Sequence, residues 1–214
     1  IMTSDPRVVP AARTIHSISY NEAAELAYFG AKVVHPSTIQ PAVESGIPVH
    51  VKNTSDPNGA GTLIVERVDG TGLRAIAGKK DITLIHISST RMLNAYGFLS
   101  RIFTIFERHR TPVDLIATSE VSVSMSIDNA QALSEIVAEL KEIGRVDVEG
   151  ALAIICLVGQ ELWKDSGFLA KVFSALKETP IRMISLGSSD INLSLVVPVK
   201  MMDTTIQTLH DEFF

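Results

Sequence analysis

The chain writes one pattern twice. Gly97-Phe98-Leu99 opens a stretch that runs to Ile127, and Gly167-Phe168-Leu169 opens another that runs to Val197, offset by 70 residues without a gap. Phe103 falls on Phe173, Ser119 on Ser189, Glu120 on Asp190 and Ser124 on Ser194. A fixed internal period of this size marks two copies of one supersecondary unit. In each copy apolar residues first recur at helical spacing: Phe98, Leu99, Ile102, Phe103 and Phe106, then Phe168, Leu169, Val172, Phe173 and Leu176. Two short apolar segments follow, "PVDLIATS" with "SVSMSID" and "IRMISLGSS" with "NLSLVVP", and each pair reads as a hairpin.

Both units are completed by their flanks. "DITLIHISS" (81–89) reads as the opening strand of the first, and Asn129 to Ile143 as its closing helix, stopped at Gly144. "ALAIICLVG" opens the second, and Met201 to Phe214 closes it. Strand-helix-strand-strand-helix-strand is the ferredoxin-like pattern, so the expected class is α+β with two such βαββαβ units in tandem. The first unit finds its last strand at "RVDVE" (145–149). The second has none left downstream and is expected to borrow "LRAIAGKK", from Leu73, which would insert one unit into the other. The resulting division is 65–80 as connector, 81–148 as the first unit and 149–214 as the second. Residues 1–64 read differently. A short helix (Asn21 to Phe29, closed by Gly30), a second one begun near Pro36 and ended at Gly46, and the strand "IPVHVKN" suggest the edge of an α/β domain.

Composition narrows the function. Net charge is −5 with no basic block, which argues against nucleic acid and acidic membrane surfaces. No apolar run is long enough to span a bilayer. The single cysteine, Cys156, lies in an apolar strand and reads as a buried thiol, which fits the cytoplasm. Six histidines show no metal-ligand spacing, so no metal site is expected.

Two constellations can carry chemistry. The turn "SSTRMLNAYGFL" leads into a helix start whose free amides suit a carboxylate, while Asp114, Ser119 and Glu120 on the following hairpin suit an ammonium. On spacing alone the plainer reading, solvated hairpin carboxylates, comes first. Near the N-terminus, Asp5 and Arg7 share the Pro-broken loop "TSDPRVV", and Lys32 follows a glycine turn; either cation can face phosphate oxygens, and either alone is more often a surface feature.

The repeated units resemble ACT domains, the amino-acid-sensing modules of biosynthetic enzymes. "FLSRIFTIFERHRTPVDLIATSEVSVSMSID" is similar to the first ACT domain of lysine-sensitive aspartokinases, and residues 1–64, from "TSDPRVV" through "YFGAKVVHP" to "GTLI", resemble the C-terminal part of the α/β amino-acid kinase domain of the same family. The resemblance implies an enzyme that passes the γ-phosphoryl of ATP, with Mg, to the β-carboxylate of aspartate. It implies nucleotide-side residues at Thr3, Ser4, Asp5, Arg7, Lys32 and Val33, and an effector site at Met92, Ala95, Phe98, Leu99, Val113, Asp114, Thr118, Ser119, Glu120 and Val121. Asp114 is the expected ammonium partner. Lysine is the first effector implied and threonine the second, with a homodimer formed through the ACT units. Two departures bear on that site: Ala95 stands where relatives often carry Ser, and Pro112 replaces a Ser and so deletes a backbone donor. Met183 and Ile184 stand where the first copy has Val113 and Asp114, so the second copy is expected to pack rather than sense. The family's Lys-Phe-Gly-Gly segment and its aspartate-holding residues are absent from these 214 residues, so no catalytic residue, no bound cofactor and no kinase activity are expected of this chain alone. A free-standing amino-acid-binding protein and a ligand-free dimerisation module are the competing readings.

Overall fold

Gly72–Ser88 and Arg145–Gln160 each form one unbroken strand, far longer than either repeat requires. The computed structural model describes residues 1–30, 36–92, 96–187 and 191–214, the side chains of 36–39 and 163 excepted. Chain order is β1 (Ser17–Ser19), α1 (Tyr20–Tyr28), α2 (Pro36–Ser45), β2 (Val49–Val51), β3 (Thr62–Val65), β4 (Gly72–Ser88), α3 (Phe98–Arg108), β5 (Ile116–Thr118), β6 (Ser122–Ile127), α4 (Leu133–Lys141), β7 (Arg145–Gln160), α5 (Phe168–Ala175), β8 (Met183–Ser185), β9 (Asn192–Pro198) and α6 (Met202–Phe213).

A six-stranded antiparallel sheet runs β5-β6-β4-β7-β9-β8. The long strands belong to both halves of it. Leu73–Lys79 of β4 pairs with the C-terminal half of β7, whereas Leu84–Ser88 pairs with its N-terminal half. Each half is therefore a four-stranded sheet carrying two helices, α3 and α4 over one and α5 and α6 over the other. Polar or glycine punctuation at Lys80-Asp81 and Gly150-Ala151 reads as a pair of strand ends. The chain bends there instead: the register shifts between Lys79 and Leu84, and Asp81 (φ 63°) and Ala151 (φ 56°) take left-handed conformations. The ladder thus survives at the cost of local strain.

Burial alternates along the shared strands, as a period of two demands. Ile76, Ala153, Ile155 and Leu157 point to the α5/α6 core, while Ala75, Ala77, Ile154, Cys156 and Val158 point to the opposite face. That face is covered by α1 through Ala23, Leu26 and Phe29. With both faces covered, residues 152–158 are all at most 1% exposed, which is why "LAIICLV" is apolar without alternation. Under α3, Phe98, Ile102, Ile105 and Phe106 are buried against Ile85, Val123 and Met125; each such side chain contributes about 1.5–3 kcal/mol relative to exposure.

The N-terminal part forms its own small sheet, β1-β3-β2, with β1 and β3 parallel across α1 and α2. Ser19 caps α1 by accepting from Glu22 N, and the Glu22 carboxylate accepts from Ser19 N in return. Gly30 follows at φ 115°, where a Cβ would meet the Gly78 carbonyl at 2.4 Å, so the end of α1 lies directly on β4. Several elements are shorter than their sequence suggests, among them β8, which keeps only Met183–Ser185 of "IRMISLGSS". The helix expected from Asn129 begins at Leu133, because the Asn129 side chain accepts from Gln131 N and holds a turn first. The strand expected across 112–119 shrinks to β5, because Ser126 takes Leu115 N on its hydroxyl.

The strained bend makes a distinctive forecast. Ala151 is exposed and left-handed, so Ala151→Gly exchanges about 1 kcal/mol of steric relief for a similar entropic loss and leaves stability within about 0.5 kcal/mol. Ala153→Gly, two residues on and fully buried, costs about 1–2 kcal/mol. Urea denaturation of both variants checks the contrast, and equal losses would contradict the assigned bend.

Candidate functional site

Among the described residues no side chain caps the start of α3. Gly97 supplies no capping side chain, and the first backbone bond of the helix runs from Arg101 N to Gly97 O. Amides in this position carry the positive end of the helix dipole. Opposite lies the tip of the β5–β6 hairpin, fixed by Ser119 N to Ser122 O (2.8 Å) and by the two hydroxyls of Ser119 and Ser122 (2.7 Å). Ser89 N bonds Val121 O at 2.9 Å and ties the segment after β4 to that tip. Between them is a cleft of about 320 Å³ lined by Met92, Gly97, Phe98, Leu99, Ser100, Ser119 and Glu120. It offers amide donors on one side, a carboxylate on the other and an apolar floor, which is the complement of a small zwitterion with an aliphatic side chain. Among the effector residues expected from sequence, Met92, Phe98, Leu99, Ser119 and Glu120 meet here. Phe98 is buried, Leu99 half exposed and Val121 exposed beside them. Thr118 sits on β5 opposite Val123, Val113 packs under α3, and Ala95 lies outside the described residues.

Asp114 is engaged elsewhere. Its side chain is fully buried, with one oxygen receiving Tyr28 Oη at 2.5 Å and Lys79 Nζ at 3.0 Å. Lys79 also pairs with Asp128 at 2.8 Å and lies 4.4 Å over the Tyr28 ring. In this structure the ammonium that faces Asp114 is that of Lys79, from the β4 bend. Burial, and then the carboxylate it bonds, push the Tyr28 hydroxyl well above the ordinary phenol range, so it stays a donor. Two further contacts join α1 to the sheet: Glu25 receives Asn192 Nδ2 at 2.5 Å, and fully buried Glu22 lies 3.7 Å from Arg74.

The N-terminal loop divides its polar residues by depth. Thr3 and Ser4 are buried: Ile76 N donates to Thr3 O at 2.8 Å, and Ser4 Oγ donates to Ile76 O at 3.0 Å. Thr3 Oγ1 accepts from Arg13 N at 3.0 Å and meets His210 Nε2 at 2.9 Å. Asp5 and Arg7 stand outside on a tight turn, joined by a two-pronged ion pair with Nη2–Oδ2 at 2.6 Å. The Arg7 hydrogen bonds hold the Asp5 carboxyl below the usual carboxylate range. Behind this turn, against Ile76, Gly78, Met202 and Ile206, is a cavity of about 460 Å³. Lys32 and Val33 lie outside the described residues. No group of three His, Cys, Asp or Glu among the described residues is arranged to hold a metal. Burial pushes the Cys156 thiol up to about 12, which removes it as a nucleophile.

With this geometry in view, comparison with known proteins is informative. Residues 1–53 match the amino acid kinase family, and residues 155–213 match the ACT domain. Over 223 aligned residues the chain is 43% identical to the lysine-sensitive aspartokinase 3 of Escherichia coli (strain K12), covering 100% of this chain and 50% of that protein. The chain belongs to the aspartokinase family. It spans about half the length of the curated relatives it matches. The E. coli aspartokinase III structure in complex with aspartate and ADP (R-state) superposes with a TM-score of 0.91 at 42% identity, over 99% of this chain and 49% of that one. The same enzyme in complex with lysine and aspartate (T-state) superposes at 0.87 and 43%, over 100% and 49%.

In this aspartokinase chain, sequence reading missed Tyr28, Lys79, Asp128 and His210. Only the Ser19-x-x-Glu22 capping signature pointed toward the buried polar flank of α1. The contacts of that flank set two expectations. Lys79→Met leaves the Asp114 carboxylate buried without its cation and should lower stability by about 3 kcal/mol in urea denaturation; a loss under about 1 kcal/mol would exclude a buried pair. The second concerns acid. Burial lowers the His210 pKa, Arg13 adds to this and Asp211 opposes it. The unfolded chain therefore binds more protons, so this contribution is complete above the ordinary imidazole pKa of about 6.5 and is lost as pH falls through the lower folded value. The melting temperature should fall from pH 7 to pH 5, and His210→Gln should flatten part of that slope.

Proposed function

We propose that this chain is the regulatory end of an aspartokinase whose full-length form converts aspartate and ATP to 4-phospho-L-aspartate, and that lysine is the amino acid it senses. In this reading residues 1–64 close the kinase domain, 65–80 connect, 81–148 form the effector-binding ACT unit and 149–214 form the second. The observation that carries it is the cleft of about 320 Å³ in which the uncapped start of α3 faces Ser119 and Glu120. The α-carboxylate of lysine takes the amides of α3, the chain lies over Met92 and Leu99, and an ammonium meets Glu120. Whole-length similarity to a protein named lysine-sensitive supports lysine over threonine.

Phosphoryl transfer runs on positioning and charge neutralisation. Arg7, exposed on its turn, is the described cation able to meet a nucleotide phosphate, with Asp5 holding its guanidinium ready. Lys32 is the second candidate from sequence. In this reading Mg accompanies the nucleotide in the full-length enzyme. With no Lys-Phe-Gly-Gly segment in these residues, this chain alone makes no acyl phosphate. No described helix is long and apolar enough to cross a membrane, which fits a cytoplasmic enzyme. A homodimer suits the exposed apolar side chains Ile116 of β5 and Ile184 of β8, on the two terminal strands of the sheet, which lie beside one another.

A thermal-shift series tests the reading. Lysine at about 100 times its Kd should stabilise the chain by about 2.7 kcal/mol, threonine should act only at higher concentration, and Glu120→Gln should abolish the shift while keeping the ligand-free melting temperature. Asp114→Ala is a poor control, because it breaks the Lys79 pair. If no amino acid moves the transition, the sensor assignment is wrong.

A further inference from the structure

The second repeat has no counterpart of Asp114, yet its last helix reaches the N-terminal loop at two points. His210 Nε2 lies 2.9 Å from Thr3 Oγ1, at the base of the loop, and Gln207 Nε2 donates to Val8 O at 2.8 Å, at its far end. The two residues are three apart on α6 and share a face. Between the two fixed points the chain closes a tight turn, with Val8 N and Val9 N both donating to Asp5 O. Met202, Ile206 and Leu209 of the same helix add apolar packing with Val8 and Val9. Its outward side carries Arg7, held by Asp5.

The chemistry of the buried end is directional. Thr3 Oγ1 accepts from Arg13 N, so its own proton is free to point at His210 Nε2. That bond needs a bare Nε2 and places the imidazole proton on Nδ1, an assignment made from the network. The ring is stacked on Phe214 at 4.7 Å, and the Arg13 guanidinium donates to the Phe214 carbonyl, so the end of the chain is sewn into the same junction.

We infer that His210 and Gln207 are positioning residues for the Asp5–Arg7 turn, so that the second ACT unit serves as the brace of the nucleotide-facing loop. This rests on the proposed aspartokinase reading, in which Arg7 meets a phosphate. Neither residue touches substrate; each acts by fixing one end of the loop that carries Arg7. A brace of this kind affects nucleotide affinity more than the chemical step, because the guanidinium must be held where the phosphate arrives. It leaves aspartate binding and the α3 cleft alone.

The test has two arms. In the full-length enzyme encoded by the reading frame that contains these residues, His210→Leu and Gln207→Ala should each raise KM for ATP about tenfold, with kcat at saturating ATP within about twofold, KM for aspartate unchanged and lysine inhibition retained. Gln207 is exposed, so its variant folds normally. His210→Gln should restore the wild-type KM, since an amide oxygen can take the Thr3 proton. A fall in melting temperature with no change in KM for ATP, or a joint change in every kinetic constant, would overturn the inference. In the present chain, hydrogen exchange at the Val8 and Val9 amides should quicken in His210→Leu and recover in His210→Gln; unchanged protection would equally overturn it. If the wild-type full-length protein phosphorylates no aspartate, the proposed function fails instead, and the exchange arm still decides whether the brace exists.

Discussion

The ladder between β4 and β7 is the constraint on which everything else hangs. Each strand belongs to both halves of the sheet, so neither half can shift its register without carrying the other along. Because side chains alternate with a period of two, a one-residue slip would turn Ile155 and Leu157 away from α5 and α6 and drive Cys156 and Val158 out from under α1. The left-handed residues at Asp81 and Ala151 are the strain accepted for keeping that ladder whole through a bend. They also place Lys79 at the one point where it reaches both ends of the β5–β6 hairpin, Asp114 before it and Asp128 after it.

That placement gives α1 its role. The helix lies in the part of the chain that matches the amino acid kinase family, yet its polar flank of Glu22, Glu25 and Tyr28 ends on Arg74, Asn192 and Asp114 of the regulatory sheet. Buried charges such as Glu22 and Asp114 are expensive unless paired. Sliding α1 over the sheet would break three such contacts together, whereas apolar packing through Leu26 and Phe29 alone would tolerate small shifts. Polar docking therefore makes the joint between the two parts specific as well as adhesive.

How much of this the sequence disclosed depends on range. The 70-residue offset and the helical spacing within it are short-range signals, and the two helix-hairpin units follow from them. Met92, Phe98, Leu99, Ser119 and Glu120 were legible as neighbours because the helix and the hairpin that bring them together are adjacent in the chain. The continuity of β4 and β7 was not legible. Lys80-Asp81 and Gly150 look like turn punctuation, and only the partner strand makes a bend cheaper than a break at both places at once. The surroundings of Asp114 were hidden for a related reason: a carboxylate on a hairpin looks solvated until Lys79, 35 residues upstream, and Tyr28, 86 residues upstream, are folded against it. His210 had no local signal at all, since its partner is Thr3 at the other end of the chain.

Duplication followed by divergence explains why the copies are unequal in just these ways. Both retain the apolar helix face and strand alternation, because each contributes half of a shared sheet and neither half can be lost separately. Their polar residues are free of that restraint. In the first copy Asp114 anchors the hairpin to the β4 bend, whereas Ile184, its counterpart, is exposed on the edge strand β8 and anchors nothing of the kind. In the second copy the polar commitments moved to the closing helix, where Gln207 and His210 face the N-terminal loop. The first copy's closing helix instead turns Glu139 toward Arg108 and His109 of its own unit. Both units therefore meet the N-terminal part of the chain, the first through Asp114 on its hairpin and the second through Asn192, Gln207 and His210, and the shared ladder fixes these contacts relative to one another.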